Sequence, residues 1–303
     1  MDTSKYVMFT RFKEEIKNDV MLKNLIPQID LIAERYGAEY LEIAEDILTI
    51  MEKMGYDSFA VCKVFNFDYM YQMAQFLETG EYGHDDYEQI KEDIYFNEEV
   101  MMDTYMPGLF LAYSNGIYLH VKTNLFLNKF VPQLKEGHKG LEIGYGEGFY
   151  LWQLIKHAPF VDVKGYDISK WALKFADKML DLSGVKRDML SLDIGDVTQG
   201  LALDDNTMDF GIIAEVIEHL SEPVVGIKEL ARVLKPGGIM YLTTVIDTNH
   251  MDHVSNFESP EEIVSLIKSC DFSVTDELIY VIKDDFPSSN DVSKVLAYVC
   301  KKQ

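Results

Sequence analysis

Apolar residues in the first third of the chain recur at helical spacing. Tyr40, Ala44, Ile47, Leu48, Met51 and Met54 lie three or four residues apart, and Gly55 follows as a stop signal. A second apolar stretch, from Leu109 to Val131, predicts one or two helices meeting near Asn115-Gly116 and ending at Pro132. The pattern changes at Lys135–Gly140, the best boundary in the chain. Beyond it, buried strands are expected at Leu141–Gly144, Val161–Asp167 and Met208–Ala214, with an extended run at Leu190–Val197. Helices are expected at Phe149–His157, Lys170–Leu182 and Pro223–Leu234, and a further strand at Gly238–Val245. Ser259 with Glu262 reads as a capping box opening a helix to about Ser269, before final strands at Phe272–Tyr280 and Lys294–Cys300. Strands and helices alternating with short loops predict an α/β fold. Its doubly wound, mostly parallel sheet carries helices on both faces, and an α-helical region precedes it.

Composition changes this picture in a few places. A 48% hydrophobic, 12% aromatic chain of 303 residues has material for a sizeable core. No apolar run approaches the ~18 residues of a membrane span, and the start reads as no secretory signal. Cys62, Cys270 and Cys300 are far apart and form no CxxC pair, which suggests neither disulfides nor a cysteine metal site and fits a reducing cytoplasm. The net charge of −23 argues against nucleic acid as a partner, because phosphates need cations to replace their counterions. Acidity is densest from Glu81 to Glu99, which reads as a solvated helical face.

The candidate chemistry begins at LEIGYGEGFY, Leu141 to Tyr150, between the first strand and its helix. Gly144, Gly146 and Gly148 let the backbone turn tightly and approach a ligand closely. A dinucleotide fingerprint would need a third glycine where Phe149 stands. The spacing E-x-G-x-G-x-G instead resembles the first motif of class I S-adenosylmethionine-dependent methyltransferases. The resemblance continues in order through about 165 residues, with Asp167 in GYDIS, Asp196-Val197 in DIGDV, MDFGIIAEVIEHL and LKPGG. It implies a seven-stranded sheet over 136–303 that binds S-adenosylmethionine, with 1–135 as a helical cap or substrate-binding region.

The resemblance also implies roles. Glu142 would lie near the methionine amino group, with Gly144, Tyr145 and Gly146 in the loop beside it. Asp167, followed by Ile168, would accept the ribose hydroxyls, and Asp196 would meet the adenine amino group with Val197 packed on the ring. Ala214 and Glu215 would border the cofactor from the fourth strand.

The acceptor side is more open. Glu215, Glu218 and His219 in EVIEHL stand beside the expected methyl position, and His253 follows the fifth strand. E-x-x-E-H with a later D-H…F is similar to metal-dependent small-RNA 2′-O-methyltransferases and some quinone-ring O-methyltransferases. That likeness gives Glu215, Glu218, His219 and His253 as ligands of Mg²⁺ or a similar ion. Ser255 and Asn256 depart from the RNA enzymes' pattern. Without a metal, His219 would act as a base, with Glu218 beside it. Tyr113, Tyr118 and His120 offer polar tips toward an acceptor pocket, His120 as a further base or as a packed core residue. The expected activity is methyl transfer to a small-molecule or carrier-bound acceptor. A metal-dependent O-methyltransferase and a non-catalytic cofactor-binding scaffold are the alternatives, and a homodimer is compatible with each.

Overall fold

The computed structural model describes residues 5–79, 87–248, 250, 252–287, 289 and 293–303. The first helix, α1 (Val7–Asn18), buries Phe9, Phe12 and Ile16, spaced for one face. Its first-turn amides of Met8 and Phe9 donate to the Glu45 carboxylate at 3.0 and 2.8 Å, which supplies acceptors the helix itself lacks. Glu45 belongs to α2 (Ile26–Met54), which bends at Gly37 and buries Tyr40, Ala44, Ile47, Leu48, Met51 and Met54 before stopping at Gly55. Then comes α3 (Ser58–Thr79).

The acidic segment resumes at α4 (Tyr87–Ile90) and continues through two wide turns, Lys91–Tyr95 and Val100–Tyr105. Ile90 and Ile94 face inward while Glu88, Glu92, Asp93, Glu98 and Glu99 are exposed, as a solvated face requires. Residues 80–86 of that expectation lie outside the described residues. The Leu109–Val131 stretch is two helices, α5 (Met106–Ala112) and α6 (Ile117–Leu125), and α6 runs on through another wide turn to Phe130.

Seven strands follow: β1 (Lys139–Ile143), β2 (Asp162–Asp167), β3 (Leu190–Ile194), β4 (Met208–Ala214), β5 (Leu234–Ile246), β6 (Phe272–Val281) and β7 (Lys294–Lys302). Between them lie α7 (Phe149–His157), α8 (Lys170–Ser183), α9 (Val224–Val233), α10 (Pro260–Ser269) and the short α11 (Ile282–Asp285). The sheet order is β3-β2-β1-β4-β5-β7-β6. Strands β1 to β5 are parallel to one another, and β7 runs antiparallel between β5 and β6. The order reverses between β1 and β4, where a doubly wound sheet opens its ligand crevice.

Two expectations need adjustment. The extended run from Leu190 stops at Ile194, because Asp196 caps a tight turn at Val197–Gln199 through its bond from the Thr198 amide. The fifth strand starts at Leu234 rather than Gly238, across a register shift opposite Met208 and Phe210.

Strand alternation divides the core. On β5, Tyr241 faces one cluster while Met240 and Leu242 face the other. The N-terminal helices share the Tyr241 side with α7 and α8. Phe110 of α5 lies 6.0 Å from Trp152 and 6.1 Å from Phe175, ring to ring, and Phe126 lies 5.0 Å from Tyr241. Fully burying such side chains contributes roughly 1.5–3 kcal/mol each, so the helical region is held to the sheet by apolar packing. Among the described residues, no helix is long and apolar enough to cross a membrane.

Candidate functional site

A cavity of about 250 Å³ lies at the carboxyl ends of the central strands. The loop after β1 builds its floor. Gly144 and Gly146 have φ of +68° and +51°, which L side chains rarely adopt. A Cβ on Gly144 would stand 2.4 Å from Val216, whereas one on Gly146 would meet nothing within 4 Å. The loop is pinned from β2, since the Gly146 amide donates to Asp167 Oδ2 at 2.9 Å. The other oxygen of Asp167 accepts from the Ser169 amide at 2.8 Å, and Ser169 then caps α8. Burial raises the Asp167 pKa, and these amides oppose the rise.

Glu142 is 1% exposed, and its Oε2 has no hydrogen-bond partner. Burial, reinforced by Glu147 and Asp167, lifts its pKa well above the carboxylate range. Glu147, also buried in the loop, is pushed up to about 7 by the same desolvation. At the far edge, Asp196 accepts from Thr198 while Val197 is buried beside it.

Across the cavity the arrangement depends on distant partners. Glu215 directly follows β4 at φ +53°, a strained position for a residue with a side chain. Its carboxylate takes the Thr243 hydroxyl at 2.6 Å and the Lys122 ammonium at 2.9 Å, the latter from α6 and 1% exposed. Glu218 accepts the Thr244 hydroxyl on Oε2 at 2.9 Å, and its Oε1 is unpartnered. Burial, aided by Glu215, pushes Glu218 up to about 7.

His219 Nδ1 lies 2.9 Å from the Asp252 carbonyl and 3.4 Å from the Asp252 carboxylate. His253 Nδ1 lies 2.9 Å from the Thr248 carbonyl. In the neutral rings these contacts assign the proton to Nδ1, leaving each Nε2 as an acceptor. Burial and the neighbouring His219 lower His253 to about 3. Asp252 is fully buried and accepts from the Tyr95 hydroxyl at 2.9 Å, the Tyr105 hydroxyl and His250 Nδ1 at 2.7 Å. Burial opposes its ionisation, but the facing His219 and His250 overcome this and hold it well below the usual range. Asp252 in turn raises the His219 pKa against the effect of burial.

Glu142, Gly144, Tyr145, Gly146, Asp167 and Ile168 line this one cavity. So do Asp196, Val197, Ala214, Glu215, Glu218, His219 and His253. Tyr113 joins them, stacked on Phe149 at 3.5 Å.

Tyr118 and His120 lie outside the lining. His120 is packed between Tyr36 and Tyr40, 4.5 and 5.2 Å ring to ring, and burial lowers it to about 3. It turns into the helical core because its helix presents that face to α2, and the role of base is withdrawn from it. The four-residue metal set also changes. Glu218, His219 and His253 bring ligand atoms within 4.8 Å of one another, while Glu215 is drawn off by Lys122. Two imidazoles and one carboxylate suit a borderline cation better than the all-oxygen shell of Mg²⁺.

Sequence reasoning missed Lys122, Tyr95, Tyr105 and Asp252. The one charged residue in the run IYLHVKTNLF, Lys122, was a usable signal, as was the acid between two histidines in HMDH.

Residues 141–242 match the family described as "Methyltransferase domain". That match lies within the sheet region and covers about a third of the chain.

A demethylmenaquinone methyltransferase of Staphylococcus carnosus is 33% identical to this chain over 109 residues, 35% of this chain and 43% of that protein. A probable methyltransferase, ltbC, of Aspergillus luteorubrus is 29% identical over 123 residues, 39% of this chain and 43% of that protein. The chain thus spans less than half the length of these relatives. Among solved structures, phosphoethanolamine N-methyltransferase 2 of Haemonchus contortus, in complex with S-adenosyl-L-methionine, aligns with a TM-score of 0.53 at 17% identity. That alignment covers 73% of this chain and 60% of that one. The [4+2]-cyclase SpnF aligns with a TM-score of 0.51 at 16% identity, over 63% of this chain and 82% of its own. These likenesses are of fold, and a fold hosts more than one chemistry.

Proposed function

We propose that this chain transfers the methyl group of S-adenosylmethionine to a small-molecule or carrier-bound acceptor. The observation that carries the reading is that one cavity joins the glycine loop, Glu142, Asp167 and Asp196 to the His219–Asp252 pair. The residues fit the cofactor on two independent counts. Glu142 Oε2 is a buried acceptor in need of a donor, which a methionine ammonium supplies. The open space beside Gly146 admits a ligand where a side chain would otherwise stand.

Glu142 would hold the amino group, Asp167 the ribose hydroxyls, and Asp196 with Val197 the adenine. When bound, S-adenosylmethionine supplies a methyl group already activated by its sulfonium. The chain's own work is then to orient the acceptor, exclude water and take a proton. His219 is the base, with Nδ1 fixed by Asp252 and Nε2 left as the proton acceptor. The strap from Tyr87 to Tyr105 covers the site, tied to α8 by the bonds from Ser169 Oγ to the Tyr95 carbonyl and from Trp171 Nε1 to the Phe96 carbonyl at 3.0 Å.

The 4.8 Å grouping of Glu218, His219 and His253 favours a second reading, in which a borderline divalent cation sits on these three and activates an acceptor oxygen. One experiment separates the readings: transfer of labelled methyl from S-adenosylmethionine to a metabolite extract, with and without EDTA. Transfer that survives EDTA supports His219 as base, and loss restored by Zn²⁺ or Mn²⁺ supports the cation. Cofactor binding without any transfer would leave the scaffold alternative in place of both.

A further inference from the structure

We infer that the acceptor carries an amino group and that Glu218 is its anchor. The inference rests on the proposed reading at one point: with the cofactor on Glu142, Asp167 and Asp196, the remaining half of the cavity belongs to the acceptor. That half is walled by Tyr95, Met101, Tyr105, Leu109 and Tyr113.

Charge decides what such a space accepts. No lysine or arginine lines the cavity, and none occurs in the sequence of the residues outside the description. Lys122 is buried and committed to Glu215 at 2.9 Å. An imidazolium at His219 is already balanced by the Asp252 carboxylate it faces. A carboxylate or phosphate entering here would give up its water beside Glu147, Glu215 and Glu218 and gain no cationic partner.

An amine meets the opposite situation. Glu218 is 1% exposed, with one oxygen satisfied by Thr244 and the other left without a donor. A buried acceptor left unmet is costly, and an N–H donor removes that cost with a charge-assisted bond. Among the wall residues, Met101 and Leu109 suit the apolar body that bears the amine. An alcohol would satisfy the oxygen but would not offset the burial that disfavours the ionised form of Glu218, as an ammonium does, so the amine is preferred.

The test uses the full chain saturated with S-adenosylhomocysteine, in buffer with EDTA so that no cation occupies the histidines. Matched small compounds, each prepared as amine, alcohol, carboxylate and phosphate on the same apolar body, are screened by ligand-observed NMR and then titrated. Amines should bind at least tenfold more tightly than their carboxylate and phosphate counterparts. Glu218→Gln should reduce that preference to less than threefold while S-adenosylhomocysteine affinity stays within twofold, which also reports that the variant is folded. If Glu218→Gln fails that control, Glu218→Asp replaces it and should weaken amine binding while keeping the preference. Carboxylates or phosphates binding as well as amines, or amines failing to bind the saturated protein, would overturn the inference. Failure of S-adenosylhomocysteine itself to bind would instead overturn the cofactor reading beneath it.

Discussion

The two halves of the cavity are built by different means. The half proposed for the cofactor, opposite the half proposed for the acceptor, is made from backbone and near neighbours: the Gly146 amide on Asp167, Ser169 on Asp167, Thr198 on Asp196. The acceptor half is made from side chains that meet across the chain. Tyr95 and Tyr105 reach Asp252 over 157 and 147 positions, and Lys122 reaches Glu215 from another helix. The first half therefore depends on the conformation of a few loops. The second depends on the docking of the N-terminal helices against the sheet. Changes in the helical region should disturb acceptor chemistry and leave cofactor binding in place, while changes in the loops should do the reverse.

The largest effect expected is on the cofactor side. Asp167→Ala would remove the two ribose hydroxyl contacts proposed for it, worth roughly 1.5–3 kcal/mol each as charge-assisted bonds, so affinity for S-adenosylmethionine should fall at least a hundredfold. Calorimetry reads this directly, and circular dichroism should show the fold retained. The comparison predicts that no substitution in the N-terminal helices matches it.

Next is the junction between the halves. Lys122→Met leaves Glu215 without its cation. The loss should be about 2–3 kcal/mol of unfolding free energy, below the ~3–5 kcal/mol of a fully buried pair because Glu215 keeps some access to water. Urea denaturation measures it, and an unchanged midpoint would show that the ion pair holds nothing together.

How far these halves could be read from sequence follows the same division. The helix Phe149–His157 and the strand Met208–Ala214 have the residue limits expected of them, because hydrophobic period and glycine punctuation are local signals. Glu142, Gly146 and Asp167 stood out for the same reason. Helical spacing at Ile117–Leu125 marked His120 as a candidate but said nothing about which neighbour its face would meet, and the ring is packed on Tyr36 and Tyr40. Glu215 entered the metal set because its partner Lys122 lies in a distant helix. Tyr95 lay within an acidic stretch read as a solvated face, and only the fold brings its hydroxyl to Asp252.

A smaller effect sharpens the acceptor side. Tyr105→Phe removes one donor from Asp252 and loosens the His219 ring, so methyl transfer should slow about tenfold, the equivalent of ~1.4 kcal/mol. Cofactor affinity should stay within twofold, and a parallel fall in both would merge the two halves. The smallest effect is a control outside the cavity. Ser259 accepts from the Glu262 amide at 3.3 Å and opens α10, so Ser259→Ala should cost about 1 kcal/mol of stability without touching either half.

The most direct measurement is a crystal structure of the full chain with S-adenosylhomocysteine. The account predicts the ribose hydroxyls on Asp167, the amino group within hydrogen-bond distance of Glu142, and the sulfur facing the space between His219 and Tyr105. A ligand bound elsewhere, or one whose sulfur points away from His219, would contradict it.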